Sequence, residues 1–455
     1  MIELAIALAC AGCLAAIETF VIGTQAWEHR RFAASRLRSG LLGQNGTVGR
    51  ALVIIPCRGL EPNLKDNLRR FFRQDYGDFA LRFVVESSED PAVSVIHGLI
   101  AEHPHVSAEL IIAGLAKGEA QKIHNLRAAT ETIPNEFNYL VFADSDAAPT
   151  EHWLSSMLHR ICSSRSVAVT GYRWFIPSTG RFHEAVVHAL NGAYAMLMSG
   201  KTPNLIWGGS WAIRKKIFDD LDLRSAWKGK ICDDLVVARE LLKRGLHVEY
   251  EPACLVATAC QSDLKSVFAF ASRQFFLLRH ILPRWWLTDL LIGHFPTIVF
   301  WVAFVALLIA RDGLLTWVAA TVVAVLYGLQ WARAELRVAA VKTYFPDLAS
   351  QPGFRRVFWI DRLLSPVIQL IGFLASLSGG LRKQIVWRGI TYRIGKNGQI
   401  QISRPNNTAI LVCGEQRDGC QETPAKTDVT SANHPKNSGG QHPVSLTEKQ
   451  KPVAA

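Results

Sequence analysis

Charge is scarce in this sequence: 19% of its 455 residues are Asp, Glu, Lys or Arg, and the 38 acids are outnumbered by 50 bases. A chain so poor in charge, 49% hydrophobic and with a mean hydropathy of +0.14, does not fit an ordinary soluble protein, so membrane segments are expected. Both glycine-rich phosphate loops are missing. Neither G-x-x-x-x-G-K-[ST] nor G-x-G-x-x-G occurs, which argues against a P-loop NTPase and an NAD enzyme. Paired metal-ligating cysteines are missing too. The nine cysteines include one C-x-x-C, Cys10 and Cys13, inside an apolar run with no second ligand pair nearby. That argues against a zinc site or a secreted disulfide framework and points to reduced thiols facing a cytoplasm. There is no internal repeat. The basic excess, a formal net charge of +12 with a sequence pI near 9.4, fits a polyanionic partner such as lipid headgroups, nucleotides or nucleic acid.

Long apolar runs divide the chain. Residues 4–26 (LAIALACAGCLAAIETFVIGTQA) can cross the roughly 30 Å apolar layer of a bilayer and carry one charge, Glu18. The basic cluster EHRRFAASRLR follows that run, so 1–27 is read as an anchor rather than a cleaved signal, with the chain emerging into the cytoplasm near His29. From 48 to 262 short β-branched runs alternate with amphipathic stretches: ALVIIP, LRFVVES, AELIIAG, NYLVFAD, VAVTGYRW and HVEYEP. This predicts an α/β domain, a mostly parallel sheet with helices on both faces, whose ligands bind at the carboxyl ends of the strands.

Residues 263–289 hold the aromatic, basic stretch SVFAFASRQFFLLRHILPRWW, expected to lie along a membrane interface. Residues 290–332 read as a transmembrane hairpin turned at Arg311-Asp312-Gly313. A basic linker and a third apolar segment follow within 333–404. That segment, 363–381, is interrupted by Pro366 and either spans the bilayer or lies re-entrant or interfacial. The stretch WRGITYRIGKNG (387–398) suits lipid headgroups and is given no catalytic role. Residues 405–455 are expected to be a disordered tail. The basic stretches 27–50, 333–357 and 382–396 each flank a membrane segment, which favours anionic phospholipid headgroups over nucleic acid.

The sharpest chemical signal is Asp144-Ser145-Asp146 at the end of the run Tyr139–Ala143. Two carboxylates one residue apart at a strand end can share a hard divalent cation and bridge it to a diphosphate; the competing reading is an acidic turn. Pro56-Cys57-Arg58-Gly59 follows the first strand, and Glu86 with Ser87-Ser88-Glu89-Asp90-Pro91 follows the second. A carboxylate there can accept hydrogen bonds from a uracil or ribose, or simply line a solvated loop. Asp233-Asp234 opens the helical stretch LVVARELLKRG. Either can be a helix cap, but transfer to a hydroxyl needs one general base, and Asp234 is assigned that role.

In order, the chain reads P-x-R-G, E-x-x-x-D-P, Q-K-x-x-N (Gln121, Lys122, Asn125), D-S-D, G-G-S (Gly208 to Ser210) and D-D. This set resembles the family 2 glycosyltransferases of the GT-A fold, and within them the ceramide glucosyltransferase and hopanoid-biosynthesis group, over roughly residues 1–395. The resemblance implies inverting transfer from a UDP-sugar, a divalent metal (Mg²⁺ or Mn²⁺), and a lipid acceptor reached from the cytoplasmic leaflet. Carried across, Asp90, and beside it Glu86, falls in the first acidic motif, Asp144 and Asp146 in the metal motif, and Asp234 at the base; Lys122 would contact phosphate. The nucleotide-sugar set is thus Pro56, Arg58, Glu86, Asp90, Lys122 and Asp144. The family's Q/R-x-x-R-W motif is broken here. Arg273-Gln274 is its counterpart, with Gln274 in place of Trp; with Arg279 nearby and Asp233 it forms the expected acceptor and diphosphate side.

The expected protein is therefore a multi-pass enzyme of the cell (inner) membrane with a cytoplasmic catalytic domain. A polyprenyl-phosphate acceptor shares the same nucleotide site and competes directly. A polysaccharide synthase needs more spans and usually keeps the full Q-x-x-R-W. A receptor or transporter with an inactive domain would not bind UDP, and the intact Asp144, Asp146 and Asp234 argue against it.

Overall fold

The computed structural model describes residues 2–38 and 48–404, apart from 62, 165, 201–202, 261, 312 and 396–397. The tail expected over 405–455 lies outside the described residues.

The first four strands, β1 (Arg50–Pro56), β2 (Phe79–Val85), β3 (Ser107–Ile112) and β4 (Phe137–Ala143), pair in parallel in the order β3-β2-β1-β4. The near-continuous apolar runs of β1, β2 and β4 suit strands covered on both faces, while β3 at the sheet edge is mixed and partly exposed. Alternation then divides each strand. Leu52 and Ile54 join Leu140 and Phe142 in the core beneath α4 (Gln121–Ala129), α8 (Leu223–Trp227) and α9 (Asp234–Lys243). Ala51, Val53 and Ile55 join Tyr139 and Val141 in the opposite core, against α2 (Leu64–Phe72), α3 (Ala92–Glu102) and α5 (Trp153–Ser163). The register pairs Ile54 with Phe142 and Pro56 with Val84, so the carboxyl ends of β1, β2 and β4 lie side by side.

The second half of the sheet departs from the expectation. The run 167–174 is not one strand: β5 (Ala168–Thr170) stays in the main sheet, while β6 (Arg173–Ile176) pairs with β9 (Val256–Ala259) in a separate two-stranded sheet. The break falls at Gly171, where a Cβ would lie 2.0 Å from the Cys254 carbonyl oxygen. A strand absent from the sequence reading, β7 (Ser210–Arg214), inserts antiparallel between β4 and β5, and β8 (Val248–Tyr250) closes the order β3-β2-β1-β4-β7-β5-β8. The α/β class is as expected: a mostly parallel sheet with helices on both faces.

Four helical segments are long and apolar enough to cross a membrane. They are α1 (Ile2–Arg38), the segment Pro283–Ile309 that comprises α11 (Pro283–Thr288), a π-turn and α12 (Phe295–Ile309), then α13 (Gly313–Tyr344) and α14 (Pro352–Leu381). The third apolar segment, left open above, is part of α14. That helix is kinked at Leu364, two residues before Pro366, whose missing N–H removes one bond of the helical ladder. Arg337 of α13 forms a bidentate pair with Asp361 of α14, both bonds 2.7 Å and both residues buried. Between sheet and membrane-length helices run α6 (Phe182–Ala195) and α10 (Leu264–Ile281), while α7 (Lys215–Asp220) packs on β4 and β7 beside α8. After α14 the chain forms a three-stranded antiparallel sheet, β10 (Gln384–Trp387), β11 (Ile390–Ile394) and β12 (Ile400–Ser403).

Candidate active site

At the edge of the sheet β4 gives way to Asp144-Ser145-Asp146. The turn is held by the Asp144 N–H on the Gly209 carbonyl (3.3 Å) and the Ala147 N–H on the Asp144 carbonyl (3.1 Å). Asp144 pairs with Lys122 Nζ at 2.8 Å and accepts from Arg173 at 3.2 Å. Asp146 lies 3.6 Å from the same arginine. Lys122, in the first turn of α4, also reaches Asp233 at 3.1 Å. Asp234 opens α9, and its carboxylate accepts the Gly208 N–H and the Leu235 N–H, both at 2.7 Å. Asp144, Asp146, Asp233 and Asp234 thus gather around two cations at one edge of the sheet.

Gly208 and Gly209 permit that approach. A Cβ on Gly208 would stand 2.9 Å from Asp233 Oδ2 and 3.1 Å from Asp234 Oδ2, and one on Gly209 would stand 2.8 Å from Asp144 Oδ2. The electrostatics follow from the crowding. Burial opposes ionisation of Asp144, yet Lys122 and Arg173 hold its carboxyl below the usual carboxylate range. Burial pushes Asp233 up to about 7, with Lys122 opposing the rise and Asp234 and Asp144 adding to it. Burial likewise works against the charge of Lys122, but Asp144, Asp233 and Asp234 outweigh it and raise its pKa. Asp233 stands at the N-cap position of α9, but its side chain makes no capping hydrogen bond.

The loops after β1 and β2 form a second group. Asp90 Oδ1 accepts the Gly59 N–H and the Ala92 N–H, each at 2.9 Å, tying the two loops together. Arg58 pairs with Glu86 at 3.2 Å, beside Pro56 at the strand end. Glu86 Oε2 is buried without a hydrogen bond and lies 3.9 Å from Arg404. Glu61 connects this group to the acidic turn by accepting the Ser145 hydroxyl at 2.7 Å. Of the residues expected on the acceptor side, Arg273 of α10 lies 5.5 Å over the Trp387 ring. Gln274 beside it is exposed, and Arg279 stacks over Trp286 at 5.7 Å. Among the described residues neither is hydrogen-bonded or ion-paired to the acidic cluster.

Several side chains here were not singled out from the sequence. Arg173 had no local signal; it sits over the Trp207 ring at 4.6 Å and spans both acids of the D-S-D turn. The stretch 387–398, read as a headgroup contact, folds back onto the loops of the site. Arg388 pairs with Glu61 and donates to the Arg58 carbonyl at 3.1 Å, while Arg58 donates to the Arg388 carbonyl at 2.6 Å. The Gln121 N–H donates to the Tyr392 hydroxyl at 3.2 Å. No strands were assigned to I-V-W-R-G-I-T-Y from the sequence, and neither the hairpin it forms nor its destination was foreseen.

The residues of the D-S-D turn fit a divalent cation. Asp146 Oδ1 is buried with no hydrogen-bond partner, and its neighbour Asp144 supplies a second hard oxygen donor. Cys232, Asp233 and Asp234 also bring ligand atoms within 4.8 Å of one another. There, however, the Asp234 oxygens already accept two backbone N–H groups and the Cys232 thiol, and Asp233 faces Lys122.

The family model for glycosyl transferase family 21 matches residues 14–400. Ceramide glucosyltransferase 1 of Caenorhabditis elegans is 25% identical over 197 residues, covering 42% of this chain and 42% of that protein. Ceramide glucosyltransferase 3 of the same species is 26% identical over 226 residues, covering 49% and 48%. The chain therefore spans less than half the length of these curated relatives. Among solved structures, the mannosyltransferase PcManGT from Pyrobaculum calidifontis, in complex with GDP-Man and Mn²⁺, aligns with a TM-score of 0.43 at 15% identity, over 82% of this chain and 99% of that one.

Proposed function

We propose that this chain, which belongs to glycosyl transferase family 21, moves a hexose from a UDP-sugar onto the hydroxyl of a membrane lipid, with inversion, at the cytoplasmic face of the cell membrane. The observation that carries this reading is the meeting of Asp144, Asp146, Asp233 and Asp234 around Lys122 and Arg173 at the carboxyl edge of the sheet. Asp144 and Asp146 are the residues that would hold Mg²⁺ or Mn²⁺, which when bound neutralises charge on the departing diphosphate.

Lys122 lies where it can exchange its carboxylate partners for a phosphate oxygen. Glu86, with a buried oxygen left open, and Arg58 take the uracil and ribose end, while Asp90 and Pro56 shape the loops there. Asp234 is the base. Its orientation is fixed by the Gly208 and Leu235 N–H groups, so it meets the acceptor hydroxyl without a search over rotamers. Arg273, with Asp233, Gln274 and Arg279, belongs to the side from which the lipid and diphosphate approach. The basic stretches beside the apolar segments hold the enzyme against anionic phospholipid headgroups. With the catalytic unit so held, the search for acceptor is two-dimensional.

The test is incubation of purified protein in detergent with radiolabelled UDP-glucose, UDP-galactose or UDP-GlcNAc and a total lipid extract. One donor yields a labelled lipid, and Asp234→Asn removes it. No labelled lipid from any donor overturns the reading; undiminished product from the variant removes Asp234 as base.

A further inference from the structure

The hairpin β10–β11 turns through two residues, Arg388 and Gly389, between the paired Trp387 and Ile390. Both adopt left-handed backbone, φ 47° and φ 74°, the geometry of a tight two-residue hairpin turn. Glycine takes this conformation freely, whereas a non-glycine residue at positive φ is strained by roughly 1 kcal/mol or more. The chain nevertheless places an arginine there, on a turn that fixes where its side chain starts.

That side chain runs to Glu61, which in turn holds the Ser145 hydroxyl between the two acids of the D-S-D turn. The reciprocal carbonyl bonds between Arg58 and Arg388 clasp the hairpin to the loop after β1. From its other flank Arg273 of α10 lies over Trp387. The hairpin thus roofs the space between the β1 loop and the acidic turn.

Three arginines from unconnected elements, Arg173 of β6, Arg273 of α10 and Arg388 of the hairpin, crowd this space closely enough to act on one another. Burial first, then the charges of Arg173 and Arg388, draw the pKa of Arg273 down to about 10. Burial works against the charge of Arg388, but Glu61, Asp146 and Asp144 outweigh it and raise its pKa. Mutual repulsion among cations is relieved by an anion, and a diphosphate presents oxygens spaced for a guanidinium fork. Arg173 already spans the two acids of the metal motif. Arg388 rests instead on Glu61, a carboxylate outside that motif, and a phosphate can take the place of that partner.

We propose that Arg388 is a diphosphate-binding residue of the donor site, its guanidinium passing from Glu61 to the sugar-bearing phosphate when the nucleotide sugar enters. The C-terminal hairpin is then part of the nucleotide pocket, and Glu61 is the resting partner that keeps the arginine aimed at it. This assignment rests on the UDP-sugar reading above.

Calorimetric titration of UDP and of UMP into the full-length protein, Arg388→Ala and Arg388→Lys, with Mg²⁺ present, separates the two. Wild type prefers UDP over UMP. Arg388→Ala loses roughly tenfold or more of that preference while keeping its UMP affinity, as expected for a charge-assisted bond to the second phosphate. Arg388→Lys keeps the turn and the charge without the planar fork, controls for folding through its melting temperature, and loses less of the preference. If wild type shows no preference for UDP, the donor reading falls and this assignment with it. If wild type prefers UDP and both variants keep that preference, or if UDP and UMP affinities drop together, the assignment alone is overturned and the hairpin merely shapes the pocket.

Discussion

Lys122 and Asp233 stand 3.1 Å apart, and the same ammonium holds Asp144 at 2.8 Å. One lysine thus joins the turn after β4 to the start of α9. Lys122→Ala leaves two largely buried carboxylates without their shared cation, a change that costs about 3–5 kcal/mol in comparable buried pairs. The expected result is a clearly lowered melting temperature, partly restored by Mn²⁺, since a divalent ion supplies the missing positive charge. An unchanged melting temperature would show that the bridge does not hold the site together.

Asp146 offers a contrasting case, because one of its oxygens is buried and unbonded. Asp146→Asn preserves shape while removing charge, so the fold should stay within about 0.5–1 kcal/mol of wild type. Mn²⁺ affinity, read by isothermal titration, is expected to fall roughly tenfold or more. Wild-type affinity in the variant would place the ion elsewhere.

A pH effect is expected at Glu184, in the first turn of α6. Its carboxylate accepts the Ser178 and Arg181 N–H groups, each at 2.8 Å, and the Thr179 hydroxyl at 2.8 Å. Burial opposes ionisation, but these bonds prevail and bring its pKa from 4.5 to about 2. A carboxyl depressed on folding contributes stability that is fully present above 4.5 and is lost as pH falls toward 2. Glu184→Gln, which keeps one acceptor oxygen, should cost about 1–2 kcal/mol at neutral pH. In denaturant melts the gap to wild type should close between pH 4.5 and 2; a constant gap would contradict the assignment.

Gly171 tests the split strand. An added methyl meets the Cys254 carbonyl at 2.0 Å, and backbone on both sides must move. Gly171→Ala should destabilise the protein by about 1–3 kcal/mol, the range for overpacking, in equilibrium unfolding. A neutral substitution would mean that β5 and β6 can separate without that close crossing.

The parts of the fold written in local pattern were readable. β1 to β4 announce themselves as apolar runs, and the membrane-length helices as longer ones. The D-S-D pair was visible because two acids close an apolar strand, whereas the D-D pair, ordinary at a helix start, stood out only as the last member of the ordered motif set. β7 was missed because Ser-Trp-Ala-Ile-Arg is five residues long and owes its place to partners on both sides. The division of 167–174 was hidden because Val169 and Trp174 have the same apolar character yet belong to different sheets. Arg173, Glu61 and Arg388 reach the site through tertiary proximity alone. An arginine on a surface hairpin and one above a diphosphate pocket look alike in sequence.

The first helix carries a consequence for reach. α1 is a single rod of 37 residues, about 55 Å long, against an apolar bilayer layer of about 30 Å. Near its amino end Ala5, Leu8 and Ala15 pack with Val322 and Leu326 of α13. Toward its carboxyl end His29 bonds to Tyr344, which meets Tyr250 of β8, and Arg36 pairs with Glu251 at 2.6 Å. The piece sized to sit in lipid is also bolted to the last strand of the sheet, with no hinge between. On the proposed reading, the height of the reaction cleft above the bilayer is set by one continuous helix and not by a flexible stalk.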